Sequence, residues 1–266
     1  VAAKSVKDGA PAEATDELVR EAAIMAQIDG HDNLVSIIGV VTRGLPKLLL
    51  VTYCDKGDLQ SYLKKKGAKM RPSERVKVGL HVARGMAHIA AARLVHRDLA
   101  ARNVLVGSGW VFKVADFGLS RAATSGDSGG ADAELYYRTR NGVFPMRWTA
   151  PEAMKDAKYT QASDVWSFGI TLVEVYTDGA QPYPGLPNPD VLTGVTERGL
   201  FPQRPQLCPE EVYALIKGCW AMDLVRRPSF TMLADGFAGL GVLQGSEGAD
   251  PDSALGATGA PAGRLE

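Results

Sequence analysis

His96-Arg97-Asp98-Leu99-Ala100-Ala101-Arg102-Asn103 is the stretch on which the reading of this chain turns. It sets a carboxylate and a carboxamide five positions apart, with an arginine next to each. A histidine beside an ordinary surface ion pair would account for His96-Arg97-Asp98 if the tripeptide stood alone. It does not: thirteen residues after Asn103 comes Asp116-Phe117-Gly118. Residues 103–106 and 111–115 between them read as two short β runs, with Gly107, Ser108 and Gly109 as the turn. A hairpin of this kind presents Asn103 and Asp116 on the same side of a cleft.

The stretch resembles the catalytic loop of a protein kinase. The resemblance implies that Asp98 accepts the hydroxyl proton of a protein substrate and that Asn103 helps to hold a magnesium ion. Ala100 stands where many serine/threonine kinases have lysine, and Arg102 lies four places after the aspartate, an arrangement similar to tyrosine kinases. There the arginine reaches a hydroxyl held away from the backbone by a ring. Asn103 and Asp116 offer oxygen ligands, which suit Mg²⁺, a hard cation that takes few protein ligands and completes its octahedron with phosphate oxygens and water.

Outward from the loop, Val1-Ala2-Ala3-Lys4 resembles the kinase strand whose lysine pairs with the α- and β-phosphates of ATP. Residues 15–28 place Leu18, Ala22, Met25 and Ile28 at helical spacing, with Glu21 beside that stripe as the expected partner of Lys4. The alternative for Glu21 is a solvated charge on an amphipathic helix. Residues 34–41 and 47–53 are strand-like, joined through Arg43-Gly44-Leu45-Pro46. The resemblance makes residues 54–59 the hinge between two lobes. It puts Val51 at the gatekeeper position, gives Thr52, Tyr53 and Cys54 the backbone groups for adenine, and sets Ala2 and Leu105 above and below the base. Beyond the hinge the pattern turns helical, at residues 59–63 and at 74–92 with Val78, Val82, Met86 and Ile89 on one stripe.

Residues 116–152 correspond to an activation segment. Its middle, 122–133, is rich in Gly, Ser, Asp and Ala, and is expected to move when nothing pins it. Tyr136 and Tyr137 follow as candidate phosphorylation sites, since a phosphate there would recruit Arg97 and Arg121 through charge-assisted hydrogen bonds. Phe144-Pro145-Met146-Arg147-Trp148-Thr149-Ala150-Pro151-Glu152 again matches tyrosine kinases, where the proline and tryptophan shape a shelf for the acceptor ring. Glu152 is expected to pair with Arg227, because buried charges need partners. Asp164 opens an apolar helix and is expected to hold the catalytic loop's backbone.

Composition fits a soluble enzyme: 266 residues, 45% hydrophobic, with 30 basic against 30 acidic side chains. Zero net charge supplies no field for nucleic acid. Cys54, Cys208 and Cys219 lack metal-ligand spacing and fit buried thiols in a reducing compartment. No apolar run approaches the roughly 20 residues that span a bilayer, and the first residues do not make a signal peptide. The expected location is cytoplasmic, or the cytoplasmic side of a membrane if the parent is a receptor.

The expected fold is α+β and bilobal, kinase-like, with a small β-rich N-lobe that is truncated and a larger, mainly α C-lobe. Residues 1–53 would be the partial N-lobe and start of the hinge, 54–238 the C-lobe, and 239–266 a disordered tail rich in Gly, Ala and Pro. The two strands and glycine-rich loop that precede the Lys4 strand in kinases have no counterpart here, so the chain reads as a fragment or as a product missing its start. The function implied is transfer of the ATP γ-phosphoryl group to protein tyrosine. The alternative is a truncated pseudokinase or regulatory module that binds partners without turnover; a serine/threonine kinase is disfavoured by Ala100, Arg102 and Trp148.

Overall fold

The computed structural model describes residues 1–6, 12–44, 46–122 and 145–246. Strand β1 (Ala2–Ser5) leads to helix α1 (Ala12–Gln27), whose stripe of Leu18, Ala22 and Met25 is buried together with Ile28 just beyond it. Strands β2 (Ile37–Val41) and β3 (Leu48–Val51) complete an antiparallel sheet in the order β1-β3-β2, with Ala2 opposite Val51 and Lys4 opposite Leu49. This sheet and α1 are the small lobe.

The run read as one strand from residue 34 divides in two. Residues 37–41 join the small sheet, whereas Val35 donates to the Val114 carbonyl at 2.9 Å and Val114 donates to Asn33 at 2.9 Å. Ser36 sits at the division, its carbonyl accepting the Thr52 N–H at 3.0 Å. One segment of chain thus ties the small sheet to the larger lobe by backbone hydrogen bonds.

The larger lobe begins with helix α2 (Leu59–Lys66), capped by the Asp58 carboxylate on the Ser61 N–H at 2.8 Å. Helix α3 (Pro72–Ala91) starts with proline in its first turn and with the Glu74 side chain accepting from the Arg71 N–H at 2.8 Å. Strand β4 (Leu94–Val95) leads into the catalytic-loop stretch. The expected hairpin follows as β5 (Val104–Gly107) and β6 (Val111–Val114), in register Val104 to Val114. Strand β7 (Arg121–Ala122) pairs back on β4.

Helices α4 (Pro151–Asp156), α5 (Gln161–Tyr176), α6 (Asn188–Arg198), α7 (Glu210–Gly218) and α8 (Phe230–Ser246) complete the lobe. Every residue of α5 from Ser163 to Tyr176 is buried, so it is apolar nearly all round and forms the axis of the core. Gly169 has no room for a side chain, since a Cβ there would meet the Trp220 ring nitrogen at 2.7 Å. Helix α8 departs from expectation. It runs through 239 to Ser246, across the boundary drawn at 238/239, because its packing on α3 outweighs the poor helix propensity of its glycines. Phe237 is fully buried there, and a Cβ on Gly79 of α3 would meet its ring at 2.5 Å.

Candidate active site

The catalytic-loop stretch is held open by its neighbours rather than by regular structure. Arg97 adopts φ +70 and Asp116 φ +64, a left-handed backbone that side chains other than glycine rarely take. Asp164, on the first turn of α5 and almost fully buried, offsets the first of these. Its two carboxylate oxygens accept the His96 and Arg97 N–H groups at 2.7 and 2.9 Å. His96 is fully buried, its Nδ1 accepting the Asp98 N–H at 3.3 Å and its Nε2 facing the Ala115 carbonyl at 3.1 Å. That pattern assigns the proton to Nε2, and burial lowers the imidazole pKa so that the ring stays neutral. His96 therefore couples the loop carrying Asp98 to the residue before Asp116.

Asp98 has most of its carboxylate withdrawn from water, and this burial raises its pKa against the opposing pull of Arg102 and Asn103. Arg102 donates to one oxygen and the Asn103 amide to the other at 2.9 Å, with a second bond from that amide to the Asp98 carbonyl at 2.7 Å. Because both amide bonds use Nδ2, the Asn103 carbonyl oxygen is left as an acceptor. The Ala115 N–H donates to the Asn103 backbone carbonyl at 2.9 Å, which sets Asp116 next to Asn103 across the hairpin. The pair supplies oxygen donors only, the chemistry that a hard divalent cation prefers. Among the described residues no larger group of His, Cys, Asp or Glu is gathered for a metal.

From the small lobe, the Lys4 ammonium meets both oxygens of Glu21 at 2.7 and 2.5 Å and the Asp116 carboxylate at 3.4 Å. The contact joins an edge strand, a helix and the β6 exit from opposite sides of the cleft. Ala2 and Val51 lie opposite each other on β1 and β3, and Leu105 lies on β5, where it bridges to Asp58. Cys54 is buried and Tyr53 is 63% exposed. The Thr52 N–H is already spent on Ser36, so only its carbonyl is available to a ligand, with the Tyr53–Cys54 backbone beyond it.

Sequence reading missed Glu174 altogether. This fully buried carboxylate on α5 accepts the Ala101 N–H at 2.9 Å, the Trp148 indole N–H at 2.8 Å and the Gln60 amide at 3.1 Å. Burial raises its pKa, and these donors oppose the rise. Above it the Arg102 guanidinium lies 4.7 Å from the Trp148 ring centre. The available signal was an acid in the middle of the apolar run Ile170–Tyr176, which demands partners. Arg147 is similarly placed, its guanidinium donating to the carbonyls of Pro182, Tyr183 and Leu186 at 2.6–3.0 Å. Glu152 and Arg227 form the bidentate pair, at 2.7 and 2.9 Å. Tyr136 and Tyr137 lie outside the described residues.

Comparison with known proteins agrees with this geometry. The family model described as protein tyrosine and serine/threonine kinase matches residues 1–237, and the chain belongs to that family. It is 41% identical over 230 residues to ephrin type-A receptor 5 of Rattus norvegicus, covering 86% of this chain and 22% of the receptor. Ephrin type-A receptor 7 of Gallus gallus is 40% identical over 233 residues, 88% of this chain and 23% of the relative. Fibroblast growth factor receptor homolog 2 of Drosophila melanogaster is 36% identical over 262 residues, 90% and 24%. The chain thus spans under a quarter of the length of these curated relatives. Membership of the family implies use of ATP and a divalent metal and action on protein substrates. No helix among the described residues is long and apolar enough to cross a membrane.

Proposed function

We propose that this domain transfers the γ-phosphoryl group of ATP to tyrosine hydroxyls of protein substrates. The observation that carries the proposal is the joint placement of Asp98, Arg102 and Trp148: a proton acceptor, and beside it a guanidinium stacked on an indole. That stack raises the floor on which an acceptor rests, so a hydroxyl must stand off by about the length of a ring to reach Asp98. Asp98 takes the hydroxyl proton, and Arg102 steers the hydroxyl while keeping the carboxylate turned toward it. The raised proton affinity of Asp98 suits a base that must hold a proton during transfer.

Asn103 and Asp116 would hold Mg²⁺, which when bound supplies charge neutralisation on the transferring phosphate. Lys4, held by Glu21, would bind the α- and β-phosphates. Adenine would lie between Ala2 and Leu105 beside Val51, against the Thr52 carbonyl and the Tyr53–Cys54 backbone. Catalysis then rests on positioning and fixed charge, as a loose phosphoryl-transfer transition state requires. We place the domain in the cytoplasm or on that side of a membrane, where ATP is available and where the buried free thiols Cys54, Cys208 and Cys219 remain reduced. Similarity to proteins named as receptors supports the second location.

Peptide pairs that differ only in Tyr against Ser, presented with Mg²⁺ and ATP to protein carrying this chain, test the proposal. Phosphorylation of the Tyr member alone is expected, with Asp98→Asn reducing the rate by about 10²- to 10⁴-fold. Equal rates on the two peptides would defeat the acceptor assignment, and an undiminished Asp98→Asn rate would defeat the base. Phosphate binding without turnover in every protein carrying the chain would favour the regulatory module instead.

A further inference from the structure

A second cleft lies behind the hinge. It is walled by α3, by β6 and by Thr52, Tyr53 and Cys54, has a volume of about 640 Å³, and takes in none of Lys4, Glu21, Asp98, Asn103 or Asp116. Lys77, Arg84 and Lys113 line it together with His81, against the single carboxylate of Asp32. The whole chain balances 30 basic with 30 acidic side chains, so this excess is local and is not overall basicity. Lys77, His81 and Arg84 follow one another at four and three residues on α3 and therefore share a helix face. Lys113 faces them from β6, anchored on the carbonyls of Asp32 at 2.5 Å and Leu34 at 3.3 Å.

The donors in this cleft are unevenly used. Among the described residues Arg84 is exposed and in no ion pair, and Lys77 makes only a long contact of 3.4 Å to the Gly109 carbonyl. His81 accepts the Phe112 N–H on Nδ1 at 3.2 Å, which leaves Nε2 as a neutral N–H donor. Its pKa is pushed down to about 4, first by burial and then by Lys77, Arg84 and, more weakly, Lys113, with Asp32 opposing. A positive field converging with spare donors on a recess is the arrangement that recognises phosphate.

We propose that this cleft binds a phosphate-bearing ligand through Lys77, Arg84 and Lys113, with the His81 Nε2–H as a neutral donor. The volume falls in the range of small-molecule sites, about 300–1,000 Å³, and exceeds what one phosphate group fills. The organic part of the ligand, or a second phosphate, lies toward Tyr53 and Val111, which complete the wall. Because Thr52 to Cys54 form that wall, the ligand touches the strip of backbone whose other side we assign to adenine. This consequence rests on the function proposed above, whereas binding itself does not.

Calorimetric titration of the full chain with inorganic pyrophosphate, and separately with a phosphotyrosine peptide, tests the proposal without requiring turnover. Both probes could also enter by way of Lys4, so the decisive variants are Lys4→Met and the double variant Lys77→Ala, Arg84→Ala, whose side chains lie at the surface or partly so. The double variant is expected to bind at the rear cleft at least about tenfold more weakly, the loss of two charge-assisted contacts, while Lys4→Met, which removes only the entry by way of Lys4, retains a rear-cleft site of parent affinity. On saturation the His81 ring signals in an NMR pH titration move to a higher pKa, as a new anion among Lys77, Arg84, Lys113 and Asp32 demands. Binding of pyrophosphate alone identifies a free polyphosphate as the ligand type, and binding of the peptide alone a phosphorylated side chain; either supports the cleft. Equal affinity in parent and double variant, or loss in Lys4→Met alone, would overturn it, as would an unmoved His81 at saturation.

Discussion

The two walls of the active cleft are built on different physics. On the large-lobe side buried charges have several partners each: Asp164 holds two N–H groups, Glu174 three donors, and elsewhere in the same lobe Arg227 pairs with Glu152 over the Trp166 ring. On the small-lobe side a single lysine, its side chain 36% exposed and on an edge strand, spans from Glu21 to Asp116. The first wall is locked by desolvated charge, which is costly to break. The second rests on one contact that a small movement of α1 would undo. A kinase-type site needs both, because the acceptor hydroxyl must be positioned closely whereas nucleotide must enter and leave.

If that contrast is right, damage to the large-lobe wall appears in stability and damage to the small-lobe wall in activity. Arg227→Met leaves Glu152 buried without its partner and strands the Ala221 and Ala162 carbonyls, which accept from the same guanidinium at 2.9 and 2.8 Å. The expected cost is about 3–5 kcal/mol, read as a large fall in the thermal midpoint. Lys4→Met leaves the Glu21 carboxylate buried but strands no backbone carbonyl, and the lysine it removes is itself 36% exposed, so a smaller loss of about 1–2 kcal/mol is expected in unfolding, with peptide phosphorylation falling by about 10²-fold. Chemical denaturation and kinetics on the same two proteins decide the point, and a Lys4→Met variant as unstable as Arg227→Met would erase the distinction between the walls.

The next effect is smaller and lies within the locked wall. Glu174→Ala orphans the Ala101 N–H, the Trp148 indole and the Gln60 amide but also removes a carboxylate whose own desolvation opposes folding, so a net loss of about 1–3 kcal/mol is expected. Glu174→Gln keeps an acceptor for Ala101 and Trp148, and Gln60 can turn its own oxygen toward the new amide. The alanine variant is expected to lose stability and to lose activity on tyrosine peptides through a raised KM, as the Trp148 shelf loosens. The glutamine variant is expected to stay within about 1 kcal/mol of the parent. Equal losses in both would mean that the charge of Glu174 matters, and its acceptor geometry does not.

How much of this was legible beforehand follows the range of the interactions. The β5–β6 hairpin and helices α1 and α3 could be read because turn residues and apolar spacing are local signals. The Lys4 and Glu21 contact came from a family pattern, and the Glu152 and Arg227 pair from that pattern together with the rule that buried charges find partners. Glu174 escaped because its three donors come from α2, the catalytic loop and the Trp148 turn, and no local window holds them. The division of residues 34–41 at Ser36 escaped for a related reason: an apolar run shows that a segment is extended but not which partner it takes. The left-handed backbone of Arg97 has no residue-type signal, and that of Asp116 has only the weak tolerance of aspartate for this region. The boundary at 238/239 falls inside helix α8 because its glycines weigh against a helix until the packing of Phe237 on Gly79 is known.

The smallest predicted effect separates locked charge from the rim behind the hinge. His81 is only partly buried, and its folded pKa of about 4 lies below the ordinary 6.5. A group whose pKa falls on folding contributes stability that is fully present above the unfolded value and is lost as pH falls toward the folded one. Stability should therefore decline from about pH 6.5 toward about 4 on account of His81. Asp98, Asp164 and Glu174 have raised pKa values and act in the opposite sense, their burial cost being relieved on protonation as pH falls. Only a difference measurement isolates the histidine. Thermal midpoints of parent and His81→Gln, whose amide oxygen can accept the Phe112 N–H in place of Nδ1, are expected to converge as pH falls from 7 to 4.5. Lys77→Ala, Arg84→Ala should fall between them, because it removes two of the charges that depress the histidine while leaving its burial intact. Parallel curves for parent and His81→Gln would show that the ring is solvated, and that the positive field of the rear cleft is screened at His81.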